Sequence, residues 1–456
     1  MELWPHSIFG WRTTVTETAT LPTGNDTSPQ PTMRQVLTAG AIGNVLEWFD
    51  FAIYGYLAQY IASEFFPTTD PLSSLLAVYG AFAAGYLARP LGGMAFGHIG
   101  DTLGRKYVLT LSITLMGIST VGIGLLPTYD QIGPAAGVLL VIFRVLQGVS
   151  VGGEFTGSIV FIAEQAPRRR RGIYASVSMC GCMAGFLLGS GLTTVLSNLF
   201  TDAQMADGIW RIAFLSGIII MAAGVLLRRS LNVTEEIGAS EQGQEETPPL
   251  VKAIRYHWAD ILRVAGLALS TNVGFYIMFV FAVTYLTEQM HISTAEAMDI
   301  NTFALVLIML IVPLGGWLSD VVGRRKVLLT FNMLLLVLCY PLFWAIHHQA
   351  AWMIVLGQAG FALVIGVLFG CNPGTMTEIA PRSVRISVIS IGYNVALATF
   401  GGTAPAVATY LIQRTSDDMA PAFYMMIFAL AAIVAVLSIP AGTLNKPAPK
   451  DQEVSA

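Results

Sequence analysis

Charge is what this sequence has least of. Only 11% of its 456 residues are Asp, Glu, Lys or Arg, against about 25% in an ordinary soluble domain. A chain so poor in charge cannot cover its apolar mass with wetted surface, which excludes a soluble globular protein and a basic nucleic-acid binder alike. Cysteine is scarce too: Cys180, Cys182, Cys339 and Cys371 are the only four. None forms a CxxC pair and all lie in apolar blocks, so the expectation is buried thiols, no disulfide and no metal. There is no phosphate-cradling glycine loop, no His-Glu-x-x-His and no Ser/His/Asp grouping at one depth. An ATP-driven pump and a membrane-embedded enzyme therefore drop out, and no cofactor is expected.

What the chain has is apolar length. Hydrophobic residues make up 54%, in blocks of the ~20 residues that a helix needs to cross roughly 30 Å of hydrocarbon. Read against turn signals, they predict an all-α membrane protein with spans near 36–62, 72–98, 107–126, 135–164, 172–198, 210–228, 260–287, 297–319, 327–346, 352–378, 386–412 and 420–442. These are 12 transmembrane helices in two sets of six. Residues 1–33, with Pro5, Pro22, Pro29 and Pro31 among Ser, Thr and Asn, read as a disordered cytoplasmic tail and not a signal peptide; Met33 stands as an alternative start. Residues 34–228 then form an N-terminal bundle, 229–258 an acidic cytoplasmic loop, 259–443 a C-terminal bundle and 444–456 a second cytoplasmic tail.

Orientation follows from Lys and Arg. With both termini cytoplasmic, inside segments hold 20 of the 24 basic residues, while outside loops hold Arg414, with Arg211 at a span edge. Arg89 and Arg144 fall within spans. Each half begins on the same side, so the halves are parallel repeats. The string Gly97-His-Ile-Gly-Asp-Thr-Leu-Gly-Arg-Lys106 returns as Gly316-Trp-Leu-Ser-Asp-Val-Val-Gly-Arg-Arg325, with Asp101 and Asp320, Gly104 and Gly323, and Arg105 and Arg324 each 219 positions apart. Glu164-Gln-Ala-Pro-Arg168 likewise returns as Glu378-Ile-Ala-Pro-Arg382, offset by 214.

These motifs resemble the major facilitator superfamily, over about residues 34–443. Gly43-Asn-Val-Leu-Glu-Trp-Phe-Asp-Phe51, Arg89-Pro-Leu-Gly-Gly93, Arg144-Val-Leu-Gln-Gly148 and Gly152-Gly-Glu-Phe155 sharpen it toward the metabolite:proton symporters. That branch includes permeases for α-ketoglutarate, citrate, shikimate and proline/glycine betaine. The resemblance implies proton-driven import of a small molecule by alternating access across a bacterial inner membrane. It also implies that the repeated loop motif latches the cytoplasmic side shut, making Asp101, Gly104, Arg105, Glu164, Arg168, Asp320, Gly323, Arg324, Glu378 and Arg382 the candidate gate. On physical grounds, the glycines permit a tight turn, and the aspartates can pair with Arg or a neighbouring helix N-terminus.

Ionisable groups at lipid depth each ask for a reason. In span 1, Asn44, Glu47, Phe51, Tyr54 and Ala58 follow helical spacing, and Asp50 lies one turn from Glu47 and Tyr54. That polar face must point into the bundle, toward Arg89 of span 2 and Arg144, Gln147 and Glu154 of span 4. A buried acid beside an arginine has a proton affinity set by which partner that arginine serves, as proton coupling requires. Glu47, Asp50 and Glu154 are thus the proton-carrier candidates. Arg144 is favoured for a substrate carboxylate, because its fork accepts one bidentately. Arg89, Asn44, Gln147 and Tyr54 join it, and from the second half Asn272, Tyr276 and Asn372, all neutral. Structural ion pairing of spans 1, 2 and 4 is the bland alternative. The two arginines favour a di- or tricarboxylate or keto-acid; Thr271-Asn-Val-Gly-Phe-Tyr276 looks more like the proline/betaine members. Partners are the small molecule, H⁺ and membrane lipid, with the monomer as default.

Overall fold

In a computed structural model of the chain, residues 32–103, 105–151, 154–219, 221–223 and 249–444 are described, with backbone alone for residues 39, 93–103, 105–110, 154 and 249. The described chain is helical throughout. Span 1 is Met33–Tyr56, continued after a break at Leu57 by Ala58–Phe65. Span 2 is Pro71–Leu103 and span 3 Arg105–Leu125. Span 4 is Ala135–Ser150 with Glu154–Gln165, and span 5 Arg171–Leu199. Span 6 is the bent pair Asp202–Ile209 and Arg211–Ala223. Span 7 is Trp258–Tyr276 and Ala282–Glu288 around a π turn at Ile277–Phe281. Spans 8, 9 and 10 are Thr294–Val322, Arg324–Ile346 and Ala351–Ile379. Span 11 is Arg385–Ala396 and Ala404–Thr415 around a π turn at Leu397–Gly401, and span 12 is Ala420–Leu437. Ten of these are long and apolar enough to cross a bilayer alone; the bent span 6 and the shorter apolar stretch Leu111–Leu125 of span 3 complete twelve.

Two boundaries differ from the sequence reading. Span 6 starts earlier than 210, because Gly208 takes a φ of 116° and turns the chain through 47° between two helical pieces. The outer carbonyls of span 3 are then capped by Arg211, whose Nη1 donates to Gly124 O at 2.9 Å and Leu126 O at 2.7 Å. The expected 229–258 loop ends in a helix, Pro249–Tyr256, and Trp258 already opens span 7. The tails and the rest of that loop lie outside the described residues.

Local caps explain where the outer loop after span 1 gives way to span 2. Asp70 Oδ1 accepts from Leu72 N at 3.2 Å, and Oδ2 from Ser73 N at 3.2 Å and Ser73 Oγ at 2.6 Å. The Ser73 hydroxyl, first among these, holds the Asp70 carboxyl below the usual carboxylate range.

The outside carries apolar stripes, and a set of polar side chains is buried within the largely apolar core. Phe303, Val306, Leu310, Leu314, Trp317 and Val321 are exposed at spacings of three and four along span 8, and Phe423, Ile427, Leu430, Val434 and Leu437 along span 12. Such stripes suit acyl chains and not water. Asn44, Glu47, Asp50, Arg89, Arg144 and Gln147 are all buried.

Spans 2 and 4 touch backbone to backbone. A Cβ on Gly148 would sit 1.8 Å from Gly85 O, so only glycine fits. We expect Gly148→Val to force these spans apart at a cost of about 1–3 kcal/mol or more. Thermal melting in detergent should fall clearly, whereas Gly80→Ala, where a Cβ meets nothing within 4 Å, should melt like the parent.

The two halves meet along spans 5 and 8, at both ends. At the end carrying the basic loops, Gly172 and Gly316 are in contact, a Cβ on Gly172 falling 2.4 Å from Gly316 O. At the other end Ser190 and Thr194 hydroxyls bond Thr302 at 2.5 and 2.8 Å, and Asn198 Nδ2 donates to Asp299 at 3.1 Å. Tyr79 joins Thr284 at 2.7 Å, and Gln59 bridges Thr294 and Thr287, each at 3.2 Å. The cavities beside Asp50 and beside Thr284 have room for about one water each.

Candidate functional site

The polar face of span 1 divides into two clusters. In the first, Asp50 accepts from Thr120 Oγ1 of span 3 through Oδ1 and from Gln147 Nε2 of span 4 through Oδ2. Gln147 Nε2 also reaches Thr120 Oγ1 at 3.0 Å, and its Oε1 accepts from Arg144 Nη1 at 2.7 Å. Helical spacing places Arg144 and Gln147 one turn apart, so both face span 1. The order is acid, amide, guanidinium: Gln147 stands between Asp50 and Arg144. The Arg144 guanidinium lies 4.2 Å from the Tyr54 ring centroid, 4.8 Å from Phe51 and 5.2 Å from Phe82. Its Nε and Nη2 have no partner.

In the second cluster Arg89 Nη2 donates to Glu47 Oε1, a salt bridge with both side chains almost fully buried. The guanidinium is 5.4 Å from the Trp48 ring, 5.6 Å from Phe51 and 5.4 Å from Tyr86. The rings continue across the halves: Tyr86 OH bonds Tyr276 OH, Phe155 lies 4.7 Å from Tyr393, and Phe186 lies 4.7 Å from Phe275. Glu47 Oε2, Arg89 Nε and Nη1, Trp48 Nε1 and Asn272 Nδ2 are buried and unpartnered. A buried polar atom without a partner normally costs about 1–3 kcal/mol. Two cationic forks thus lie among aromatic faces with part of their hydrogen-bonding capacity unused.

Of the other predicted residues, Asn44 and Asn372 serve as fasteners between spans, while Tyr54 and Asn272 stay with the two clusters. Asn44 Nδ2 is within 3.0 Å of Gly40 O, 3.0 Å of Ser158 Oγ and 3.1 Å of Ser178 O, pinning span 1 to spans 4 and 5. Asn372 Nδ2 reaches Leu267 O at 3.1 Å and Thr271 Oγ1 at 3.2 Å, pinning span 10 to span 7. Tyr54 donates to Val78 O at 3.1 Å while its face carries Arg144. Asn272 Oδ1 accepts from Tyr393 OH at 3.4 Å. The single network of five charges suggested by span 1 is thus two clusters, since Asp50 and Glu47 turn toward different spans. Gly104 lies outside the described residues, and so do the side chains of Asp101, Arg105 and Glu154.

At the basic end, Asp320 accepts from Gly172 N at 2.8 Å and Ile173 N at 3.0 Å, the N-terminus of span 5 in the other half. Arg324 Nη2 holds the same carboxylate at 3.1 Å. Its Nε is 2.9 Å from Glu378 Oε1, close enough for an ion pair but without hydrogen-bond alignment. Gly323 takes a φ of 104° at the turn. Glu164 pairs across the halves with Arg385 at 2.6 Å. No ion pair of Arg168 or Arg382 is found among the described residues.

Sequence reasoning missed Thr120, Tyr86, Phe155, Tyr393 and Arg385. Tyr86 was within reach, one turn before Arg89. The cross-half partners carry no local signal.

The sequence profile of the Major Facilitator Superfamily matches residues 40–298 and 264–455. The proline/betaine transporter of Escherichia coli (strain K12) is 34% identical over 426 residues, covering 91% of this chain and 85% of that protein. The glycine betaine/proline/ectoine/pipecolic acid transporter OusA of Dickeya dadantii is 32% identical over 425 residues, covering 91% and 84%. Among solved structures, a D-xylose-proton symporter superposes with a TM-score of 0.70 at 17% identity, over 90% of this chain and 98% of that one. The xylose transporter XylE from E. coli, partially occluded and inward-open, superposes with a TM-score of 0.68 at 17% identity over 91% and 99%.

Proposed function

Because this chain belongs to the Major Facilitator Superfamily, we propose that it imports a small zwitterion of the proline or betaine kind, coupled to H⁺, across the bacterial inner membrane. It is a multi-pass membrane transporter and not an enzyme. The observation that supports the substrate class is the pairing of unsatisfied guanidinium N–H groups with aromatic faces. A carboxylate takes a guanidinium fork; an alkylated ammonium takes the face of Trp, Tyr or Phe. One molecule with both groups uses both halves of that chemistry. A di- or tricarboxylate would use the arginines and leave the rings idle, and the relatives named for a substrate carry proline and betaine. The organic-acid reading is therefore set second.

Asp50 is assigned the proton. Its partners, Thr120 and Gln147, are neutral, so no salt bridge must break when it protonates. Gln147 links it to Arg144, so occupation of Arg144 by a substrate carboxylate is felt at Asp50 through one amide. With the basic loops cytoplasmic, the Asp320, Arg324, Glu378 and Glu164–Arg385 contacts form the inner latch, and the hydroxyl contacts of Thr302, Thr284 and Gln59 form the outer closure. The protein works as a single chain.

The test is uptake into proteoliposomes of the full chain under an imposed pH gradient. Glycine betaine or proline should accumulate, collapse of the gradient should stop accumulation, and excess citrate or α-ketoglutarate should leave it unchanged. Accumulation of the carboxylates alone would return the organic-acid reading, and accumulation indifferent to an uncoupler would remove the proton.

A further inference from the structure

The Glu47–Arg89 pair poses a question that fastening does not answer. A salt bridge present only to hold span 1 against span 2 gains most when every lone pair and N–H is satisfied. Here Glu47 Oε2, Arg89 Nε and Arg89 Nη1 are buried and unpartnered. The guanidinium instead lies among the Trp48, Phe51 and Tyr86 rings, the surfaces best suited to an alkylammonium. We propose that Glu47 and Arg89 form a built-in stand-in for the cargo, occupying its site when empty and restricting transport to molecules of zero net charge. The proposal rests on the zwitterion reading above and goes beyond it by naming the residues that set the charge rule.

The physical reason is charge conservation in a buried core. Net charge in a dry interior is costly, and a neutral pair is far less so. When a zwitterion enters, its cationic nitrogen takes the rings and Glu47, and its carboxylate takes the displaced Arg89, with Arg144 beside it. The cargo itself adds no net charge to the core, whatever the protonation of Asp50. A cation of the same shape also takes the rings and Glu47 but leaves Arg89 without an anion. An anion takes Arg89 and strands Glu47. Both singly charged isosteres therefore pay a penalty that the zwitterion escapes.

Three molecules of nearly one shape separate these cases: glycine betaine, choline, and 3,3-dimethylbutanoate, the carbon isostere of betaine. In proteoliposomes the parent protein should prefer betaine over both others. Arg89→Gln leaves Glu47 free to accept a cation, so the betaine-to-choline preference should fall by about a hundredfold or invert. Glu47→Gln should do the reverse, favouring 3,3-dimethylbutanoate. Either variant alone carries the test if the other fails to fold. The parent supplies an independent readout: betaine replacing guanidinium against Trp48 should shift an indole emission component that Trp48→Phe removes. Variants that keep the parent's ranking of the three, or betaine binding that leaves the Trp48 emission unmoved, would reduce the pair to a fastener. Failure of the parent to bind any zwitterion would instead overturn the substrate reading itself.

Discussion

Arg144→Gln should reduce zwitterion uptake by two orders of magnitude or more. Arg144 is fully buried, rests on three rings, and gives one nitrogen to Gln147 while two have no partner. A charge-assisted contact to a carboxylate in such a place carries about 1.5–3 kcal/mol for each hydrogen bond, and a fork makes two. Losing ~2.7 kcal/mol is a hundredfold in affinity. Gln keeps much of the volume and can still donate to Gln147 Oε1, so folding should survive, to be checked by size-exclusion profile and melting. Arg144→Lys separates charge from shape: a point charge without the planar fork should recover only part of the uptake. Parent-level transport in Arg144→Gln would take this residue out of the site.

Asp50→Asn should split transport into its two components. Accumulation driven by a pH gradient should vanish, while exchange of labelled for unlabelled substrate across the membrane should persist. The carboxamide is close in size, and its oxygen can still accept from Thr120 or Gln147, but it cannot load a proton. Thr120 Oγ1 also donates to Met116 O at 2.9 Å, so its hydroxyl has an alternative acceptor within its own helix. Since the hydrogen-bond partners of Asp50 are neutral, neutralising it breaks no direct ion pair. The measurement is proton-driven uptake against counterflow in the same vesicles. If accumulation survives the substitution, the proton rides elsewhere, and Glu47 is the next residue to vary.

Which parts of this were readable beforehand follows from what a linear sequence encodes. Helical periodicity and hydrocarbon thickness act locally, so span edges such as Arg171, Arg324 and Ala420 fall within a few residues of expectation. The inward face of span 1 was likewise legible, because Asn44, Glu47 and Tyr54 share one side of a single helix. Contacts between the halves obey no period. Nothing near Glu164 announces Arg385, 221 positions away. Nor does anything near Tyr86 announce Tyr276. The sequence reading put an organic acid first because two arginines in a string look like an anion site, and the proline/betaine relatives favour its zwitterion alternative. That a span-1 acid faces these arginines was legible; that Glu47 is the one paired with Arg89, among the Trp48, Phe51 and Tyr86 rings, was not. The kink at Gly208 was missed because one glycine near a span edge carries no directional information.

The glycine seam between spans 2 and 4 has a mechanical consequence. Gly85 and Gly148 lie back to back, and the same two helices bear Arg89 and Arg144 within one turn of that point. With main chains already in touch, neither helix can move closer to the other at that point without a clash. On the opposite wall the π turns at Ile277–Phe281 and Leu397–Gly401 follow directly on Tyr276 and close on Tyr393. A widened turn spoils the regular i→i−4 ladder, so the second half has, beside the buried tyrosines, two points of weaker helix that the glycine seam of the first half lacks.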